Sequence, residues 1–167
     1  MKFPIFILIV LLLLSACGFQ LRGQVSPLPF KSLYVIAPDG HTIGMEMKRM
    51  LRNSSATKLA TSSTEAEATL DIISATNERI ILSLSGGGRV RDFNLVYRVT
   101  YRVLDHRGVE IVPNTAISLT RILPFLDAQI LAKESEEHLL VKEMQSDAIQ
   151  QIIWRLSAYK APLENSR

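Results

Sequence analysis

Residues 93–103 read FNLVYRVTYRV, an alternation of large apolar side chains with mostly polar ones. Successive side chains of a strand point to opposite faces, so this period of two predicts a strand with one buried and one polar face. The preceding residues 85–88 read SGGG, which is typical of a hairpin turn. The two features together predict one arm of an antiparallel hairpin.

The other arm is predicted from residues 66–84. Its apolar side chains share one parity, which favours a long strand over a helix, and we expect a bend near Asn77. These side chains are Leu70, Ile72, Ile80, Leu82 and Leu84.

Two elements are predicted before the hairpin. Residues 31–37 predict a strand that ends at the turn signal of residues 38–40. A short helix then follows from apolar residues on one face, namely Ile43, Met47, Met50 and Leu51. Three cations lie off that stripe, which favours a solvated helix face: Lys48, Arg49 and Arg52. Residues 53–64 are rich in Ser and Thr and predict a loop.

Two elements are predicted after the hairpin. A turn at residues 105–108 leads to a last strand over residues 109–123, which Pro124 ends. A long helix over residues 130–159 carries an apolar stripe. The stripe consists of Ile130, Val141, Met144, Ala148, Ile152, Leu156 and Tyr159. Trp154 and Leu139 lie off it, which modestly favours a docking surface.

This element order predicts an α+β fold, a two-layer α/β sandwich with two helices on one face of a four-stranded sheet. The sheet is mixed but mostly antiparallel, because only the first two strands are joined through a helix and can run parallel. The helices cover one face, so the other face should be polar. Its expected residues are Asn94, Arg98, Thr100, Arg102, Ser118 and Thr120.

The amino-terminal residues have the layout of a bacterial export signal. Lys2 precedes an uncharged stretch, residues 3–14, that is shorter than the roughly 20 apolar residues of a membrane span. Leu14-Ser15-Ala16-Cys17 looks like a lipobox, whose cysteine receives diacylglycerol and an N-acyl chain. The alternative is a secreted protein with a free thiol. A lone cysteine cannot form an internal disulfide, so such a thiol would have no other structural use.

The predicted organisation has four parts. Residues 1–16 are a cleaved signal peptide, residues 17–30 a lipid anchor with a short tether, residues 31–160 a single domain, and residues 161–167 a polar tail. Gly18 stands where inner-membrane retention typically shows Asp, which implies the outer membrane and its periplasmic side. The net charge of +3 falls to +2 without Lys2, too little for a general nucleic-acid binder.

The sequence offers no catalytic arrangement or metal site. His41, His106 and His138 lack partners at metal-ligand spacing, and no G-x-S-x-G motif is present. The glutamates of the long helix, Glu134, Glu136, Glu137 and Glu143, are typical of a solvated face. We therefore expect a protein that is not an enzyme and that holds no cofactor beyond the covalent lipid on Cys17.

Arginines flank the glycine turn. Arg89 and Arg91 follow it, and Arg79 lies on the opposite strand. Guanidinium groups at a hairpin tip can bind phosphate bidentately, but such charges also keep an exposed tip soluble. The residues alone leave both interpretations open.

Residues 17–23, directly after the predicted cleavage site, read CGFQLRG. This segment resembles the mature start of the lipopolysaccharide-assembly lipoprotein family LptE, whose members follow the lipobox with C-G-[FWY]-x-L-R. The likeness continues through the strand at residues 89–104 and through Leu131-Ala132-Lys133-Glu134 and Val141-Lys142-Glu143-Met144 in the last helix.

The resemblance implies a two-layer sandwich that plugs the outer-membrane β-barrel LptD, helps that barrel to assemble and assists insertion of lipopolysaccharide into the outer leaflet. It further implies lipopolysaccharide binding near the hairpin tip and the start of the last helix. In this sequence those regions offer Arg89, Arg91 and Lys133.

Two other functions are alternatives to the one that the resemblance implies. An outer-membrane lipoprotein that activates a peptidoglycan synthase would favour a long disordered tether, and the tether here is short. A lipid-anchored periplasmic hydrolase would require a catalytic constellation.

Overall fold

A computed structural model describes residues 28–53, 56–125 and 130–159. The predicted signal peptide, the lipidation site Cys17, most of the tether and the polar tail lie outside these residues. Within the described part of the chain, no helix is long and apolar enough to cross a membrane.

The described chain forms five strands and two helices. Their order is β1 (Ser32–Ile36), α1 (Thr42–Arg52), β2 (Lys58–Leu59), β3 (Ala68–Leu84), β4 (Val90–Asp105), β5 (Glu110–Pro124) and α2 (Ile130–Ser157). The α+β class and the mixed sheet with two helices are thereby confirmed.

The sheet has five strands rather than the predicted four, in the order β2-β1-β3-β4-β5. The fifth is β2, a two-residue strand inside the predicted loop, which pairs in parallel with β1. It is too short to show a period of two, so no sequence pattern could reveal it. The predicted parallel pairing of β1 with β3 is confirmed, and β3, β4 and β5 form an antiparallel meander.

The helices and one sheet face enclose the core. Tyr101 and Leu95 of β4 are fully buried there, as are Met47 of α1 and Met144 of α2. At roughly 25 cal/mol per Å² of apolar area buried, side chains of this size supply most of the stabilisation of such a fold. The predicted alternation of β4 is confirmed for the side chains toward the helices, since Leu95, Tyr97, Val99, Tyr101 and Val103 are all buried, although Val96 on the other face is buried as well.

β3 is the predicted long strand, but its apolar side chains do not all share one face of the sheet. The register shifts between Ile72 and Ser74, where Ile73 forms a bulge, and again between Ile81 and Ser83. An extra residue moves every later side chain to the opposite face. Leu70 and Ile72 are therefore buried under the helices, whereas Ile80 and Leu82 are exposed. The irregularities lie on either side of Asn77 rather than at it.

The helix-free sheet face is polar, as predicted. Arg98, Ser118 and Thr120 are exposed, and Arg102 Nε donates to Asp71 Oδ2 at 2.9 Å between the two central strands. This face therefore presents polar side chains to solvent over its inner part, whereas Ile80 and Ile122 are exposed on it nearer the hairpin tip.

Candidate functional site

The outer half of the β3–β4 hairpin extends to a tight turn at residues 85–88. The Gly88 N–H donates to the Ser85 carbonyl at 2.9 Å, and the Ser85 N–H donates to the Arg89 carbonyl at 2.7 Å. Gly88 has a φ of 76°, in the left-handed region that glycine adopts without steric cost. The triple glycine therefore serves a hairpin turn, as the sequence predicts.

Two of the three predicted binding residues flank this turn. Arg89 is exposed, and its N–H donates to the Ser85 hydroxyl at 3.2 Å. The Arg91 side chain is 72% exposed, with its Nε 3.5 Å from Asp92 Oδ2. Asp92 also accepts a hydrogen bond from the Ser83 hydroxyl on the opposite strand. The tip therefore presents two guanidinium groups to solvent, and Asp92 offsets part of the charge of Arg91.

Lys133, the third predicted residue, is mostly buried, unlike Arg89 and Arg91. Its side chain is only 14% exposed, and its Nζ lies 2.7 Å from Glu136 Oε2 one turn along α2. An amine held by a carboxylate at this spacing is less available to a phosphate than one in water. The i, i+3 spacing of these two residues was visible in the sequence, whereas the burial of the lysine was not.

Arg79 contributes to structure rather than to the tip. Its Nη1 donates to Glu137 Oε2 on α2 at 2.8 Å, and its guanidinium carbon lies 4.8 Å from the centroid of the Phe93 ring. Phe93 in turn packs edge-on against Phe125 after β5. These contacts join the first turns of α2 to the hairpin.

Sequence reasoning missed a set of exposed apolar side chains around the outer hairpin. Ile80 of β3 and Ile122 of β5 both lie opposite Asn94 of β4, so these two apolar side chains share one row of the helix-free face. Others lie on the opposite face beyond the reach of the helices, or on the first turn of α2. The whole set comprises Ile80, Ile81, Leu82, Leu84, Ile122 and Leu131. The bulges in β3 expose part of it, and no residue pattern predicted their position.

Cations beside exposed apolar groups suit one class of ligand. A guanidinium can bind a phosphate or carboxylate bidentately, while neighbouring isoleucine and leucine side chains contact acyl chains. Among the described residues no group of His, Cys, Asp and Glu could hold a metal ion. The arrangement therefore suits noncovalent binding of an anionic amphiphile.

The remaining candidate residues from the sequence, two on α2 and three histidines, lie apart from the hairpin tip. Trp154 and Leu139 are exposed on the outer face of α2, as predicted. His41, His106 and His138 are exposed as well, at separate places in the fold.

Comparisons with known proteins agree on one family. The family model LptE, described as lipopolysaccharide-assembly, matches residues 30–156. The chain is 25% identical over 152 residues to the LPS-assembly lipoprotein LptE of Pectobacterium atrosepticum, covering 89% of this chain and 80% of that protein. It is 28% identical over 164 residues to the LptE of Yersinia enterocolitica, covering 95% and 77%.

Solved structures share the fold. The solution structure of lipoprotein B from Nitrosomonas europaea has 51% sequence identity and a TM-score of 0.74, covering 84% of this chain and 91% of that one. The crystal structure of the rare lipoprotein B from Shewanella oneidensis has 25% identity and a TM-score of 0.67, covering 76% and 94%.

Proposed function

Because the chain belongs to the lipopolysaccharide-assembly lipoprotein family LptE, we propose that it plugs and helps to assemble the LptD β-barrel and assists insertion of lipopolysaccharide into the outer leaflet. In this proposal diacylglycerol and an N-acyl chain on Cys17 anchor it to the periplasmic side of the outer membrane. It catalyses no reaction and holds no other cofactor.

The observation that carries the proposal is the long hairpin with its cationic and apolar outer half. β3 has 17 residues, and at about 3.3 Å per residue such a strand reaches roughly 50 Å from end to end. A membrane with its head groups is about 40–45 Å thick. A hairpin of this length, standing in a barrel lumen, would bring its tip to the outer leaflet.

The sheet suits a plug in two further respects. The helix-free face is polar, as the lumen of an outer-membrane barrel is, with Arg98, Ser118 and Thr120 exposed. Ion pairs also join the helix layer to the sheet. One of them links Arg121 Nη2 of β5 to Asp147 Oδ2 of α2 at 2.7 Å.

Lipopolysaccharide binding is assigned to Arg89, Arg91 and Lys133, with unequal roles. The two arginines flank the turn and would meet the lipid A phosphates first, since both are exposed. The Lys133 amine is paired with Glu136 in the structure. It would therefore contribute only after it leaves Glu136 and binds a phosphate instead. Ile80, Leu82 and Ile122 would contact the acyl chains.

Site-specific photocrosslinking tests this arrangement. A photoreactive residue at position 89 should capture lipopolysaccharide, and one at position 118 or 120 on the polar face should capture the barrel wall. Position 154, on the outer face of α2, reports whether that face also meets the barrel. Crosslinks from positions 118 and 120 to a peptidoglycan synthase, with none to a barrel, would contradict the proposal.

A further inference from the structure

The solvent-facing side of α1 is basic. Ile43, Met47 and Leu51 are buried against the sheet. The opposite side carries the exposed Arg49 and Arg52, and Lys48 lies half-buried at its edge. Glu46, the one acidic residue of this helix, lies 3.8 Å from Arg49. Met45 is 66% exposed on the same side. The helix thus presents three cations and a large apolar side chain to its surroundings.

The carboxyl-terminal end of α1 lies near Lys31, close to the first described residues. The chain leaves α1 at Asn53 and returns at Lys58, whose N–H donates to the Lys31 carbonyl at 2.9 Å. Lys31 is itself exposed. Leu28 and Phe30, just before it, are buried in the core and fix the entry point of the chain.

The sequence places the predicted anchor close to this entry point. Eleven positions separate Cys17 from Leu28, and at most about 3.6 Å per residue the anchored cysteine lies within roughly 40 Å of the fold. The hairpin tip is at the far end of β3, because the start of β3 pairs with β1. The basic side of α1 is therefore at the end of the fold opposite the hairpin tip, where the chain that leads from the predicted anchor enters.

We propose that Lys31, Lys48, Arg49 and Arg52, called the α1 patch, rest on anionic phospholipid head groups of the membrane that holds the anchor. This inference rests on lipidation of Cys17 in the proposed function. Each Lys or Arg near an anionic bilayer strengthens its association roughly fivefold, and Met45 can reach the boundary between head groups and acyl chains.

Two acidic residues, Glu67 and Glu65, lie near Lys31 and offset part of its charge. Glu67 Oε2 accepts from the Lys31 backbone N–H at 2.6 Å, and Glu65 Oε2 accepts from the Thr61 hydroxyl at 2.6 Å. Glu46 offsets part of the charge of Arg49. The α1 patch keeps a net positive charge, which is what an anionic surface requires.

A fluorophore at position 45 tests the inference in the lipidated protein. Cys17 is the only cysteine, so Met45→Cys supplies one free thiol for a polarity-sensitive label once Cys17 is acylated. The labelled protein is reconstituted into phosphatidylcholine vesicles with or without phosphatidylglycerol, each carrying a head-group quencher. Flotation of the vesicles reports anchoring separately from the quenching.

Quenching should be several-fold stronger with phosphatidylglycerol and should weaken at high salt or in K48E/R49E/R52E. The control R98E/K142E/R155E changes three exposed cations outside the α1 patch and should keep the full effect. Protein that floats with equal quenching in both vesicles overturns the inference and leaves the anchor intact. A response to lipopolysaccharide instead of phosphatidylglycerol also overturns it, and protein that does not float removes its premise.

Discussion

Arg79 of β3 and Glu137 of α2 form an ion pair of 2.8 Å, although they are 58 positions apart in the sequence. The Arg79 side chain is about half exposed and also lies over the Phe93 ring. A double-mutant cycle of R79A and E137A should give a coupling free energy of about 0.5–1 kcal/mol, because solvent screens a pair at this exposure. Urea unfolding of the four proteins measures it.

The Glu46–Arg49 pair is the matched comparison. It is longer, at 3.8 Å, and Arg49 is 73% exposed, so its coupling should be smaller, about 0.3 kcal/mol or less. Equal coupling in the two cycles would contradict the role of Arg79 in joining the hairpin to α2.

Much of the fold is readable from the sequence because periodicity reports burial directly. The alternation of β4 and the stripe of α1 depend only on which side chains face the core, and both are found as predicted. β2 and the bulge at Ile73 depend instead on tertiary pairing with β1 and β4. Local pattern carries no signal for such features.

The candidate site was predictable to a similar extent. The glycine turn and its neighbours Arg89 and Arg91 follow from residue type and order. The partner of Arg79 and the burial of Lys133 do not, because helix α2 packs on the hairpin only in the folded chain. The exposure of the apolar groups of the outer hairpin does not follow from the sequence, because the register shifts in β3 that expose part of them leave no local pattern.

Gly44 of α1 packs against Ala37 too closely for a larger residue. A Cβ at position 44 would lie 2.5 Å from the Ala37 Cβ. G44A should therefore lower the free energy of unfolding by about 1–3 kcal/mol, despite the better helix propensity of alanine. Thermal and urea unfolding check this value.

The second variant A37G should recover part of that loss in the G44A background, since it removes the clashing methyl group. Gly86, which has no atom within 4 Å of an added Cβ, provides a control in G86A with little expected change. A G44A protein as stable as the wild type would contradict the close packing of α1 on the chain after β1.

Tyr97 makes the free energy of unfolding depend on pH in the alkaline range. Burial, with the charge of Glu46 as a smaller cause, raises the pKa of its hydroxyl from 10.0 to about 12. The folded state holds the proton at a pH where the unfolded state releases it, so this stabilisation is complete below the unfolded pKa of 10.0. It is then lost as the pH rises toward 12.

Urea unfolding of the wild type and Y97F at about pH 9 and about pH 11 measures this effect. The wild type should lose more stability than Y97F between the two conditions, since the other tyrosines act equally in both proteins. Parallel losses would show that Tyr97 titrates normally in the fold.

Charge reversal at the hairpin tip should weaken lipopolysaccharide binding. R89E/R91E should reduce the affinity roughly tenfold, as expected when charge-assisted contacts to phosphate are replaced by repulsion. K133E alone should cost less, because Lys133 is mostly buried and held by Glu136. The triple variant should lose the most and still fold.

A pull-down with labelled lipopolysaccharide, together with circular dichroism for the fold, measures these effects. R98E/K142E changes two exposed cations elsewhere and should bind as the wild type does. Unchanged binding by the triple variant would remove the assignment of this site.

A lipoprotein that plugs the LptD barrel should be its stable partner. Affinity purification of the full-length, lipidated protein from outer membranes in mild detergent, with the bound proteins identified by mass spectrometry, tests this directly. The barrel should co-purify in a near one-to-one ratio. Purified lipoprotein without any barrel protein would contradict it.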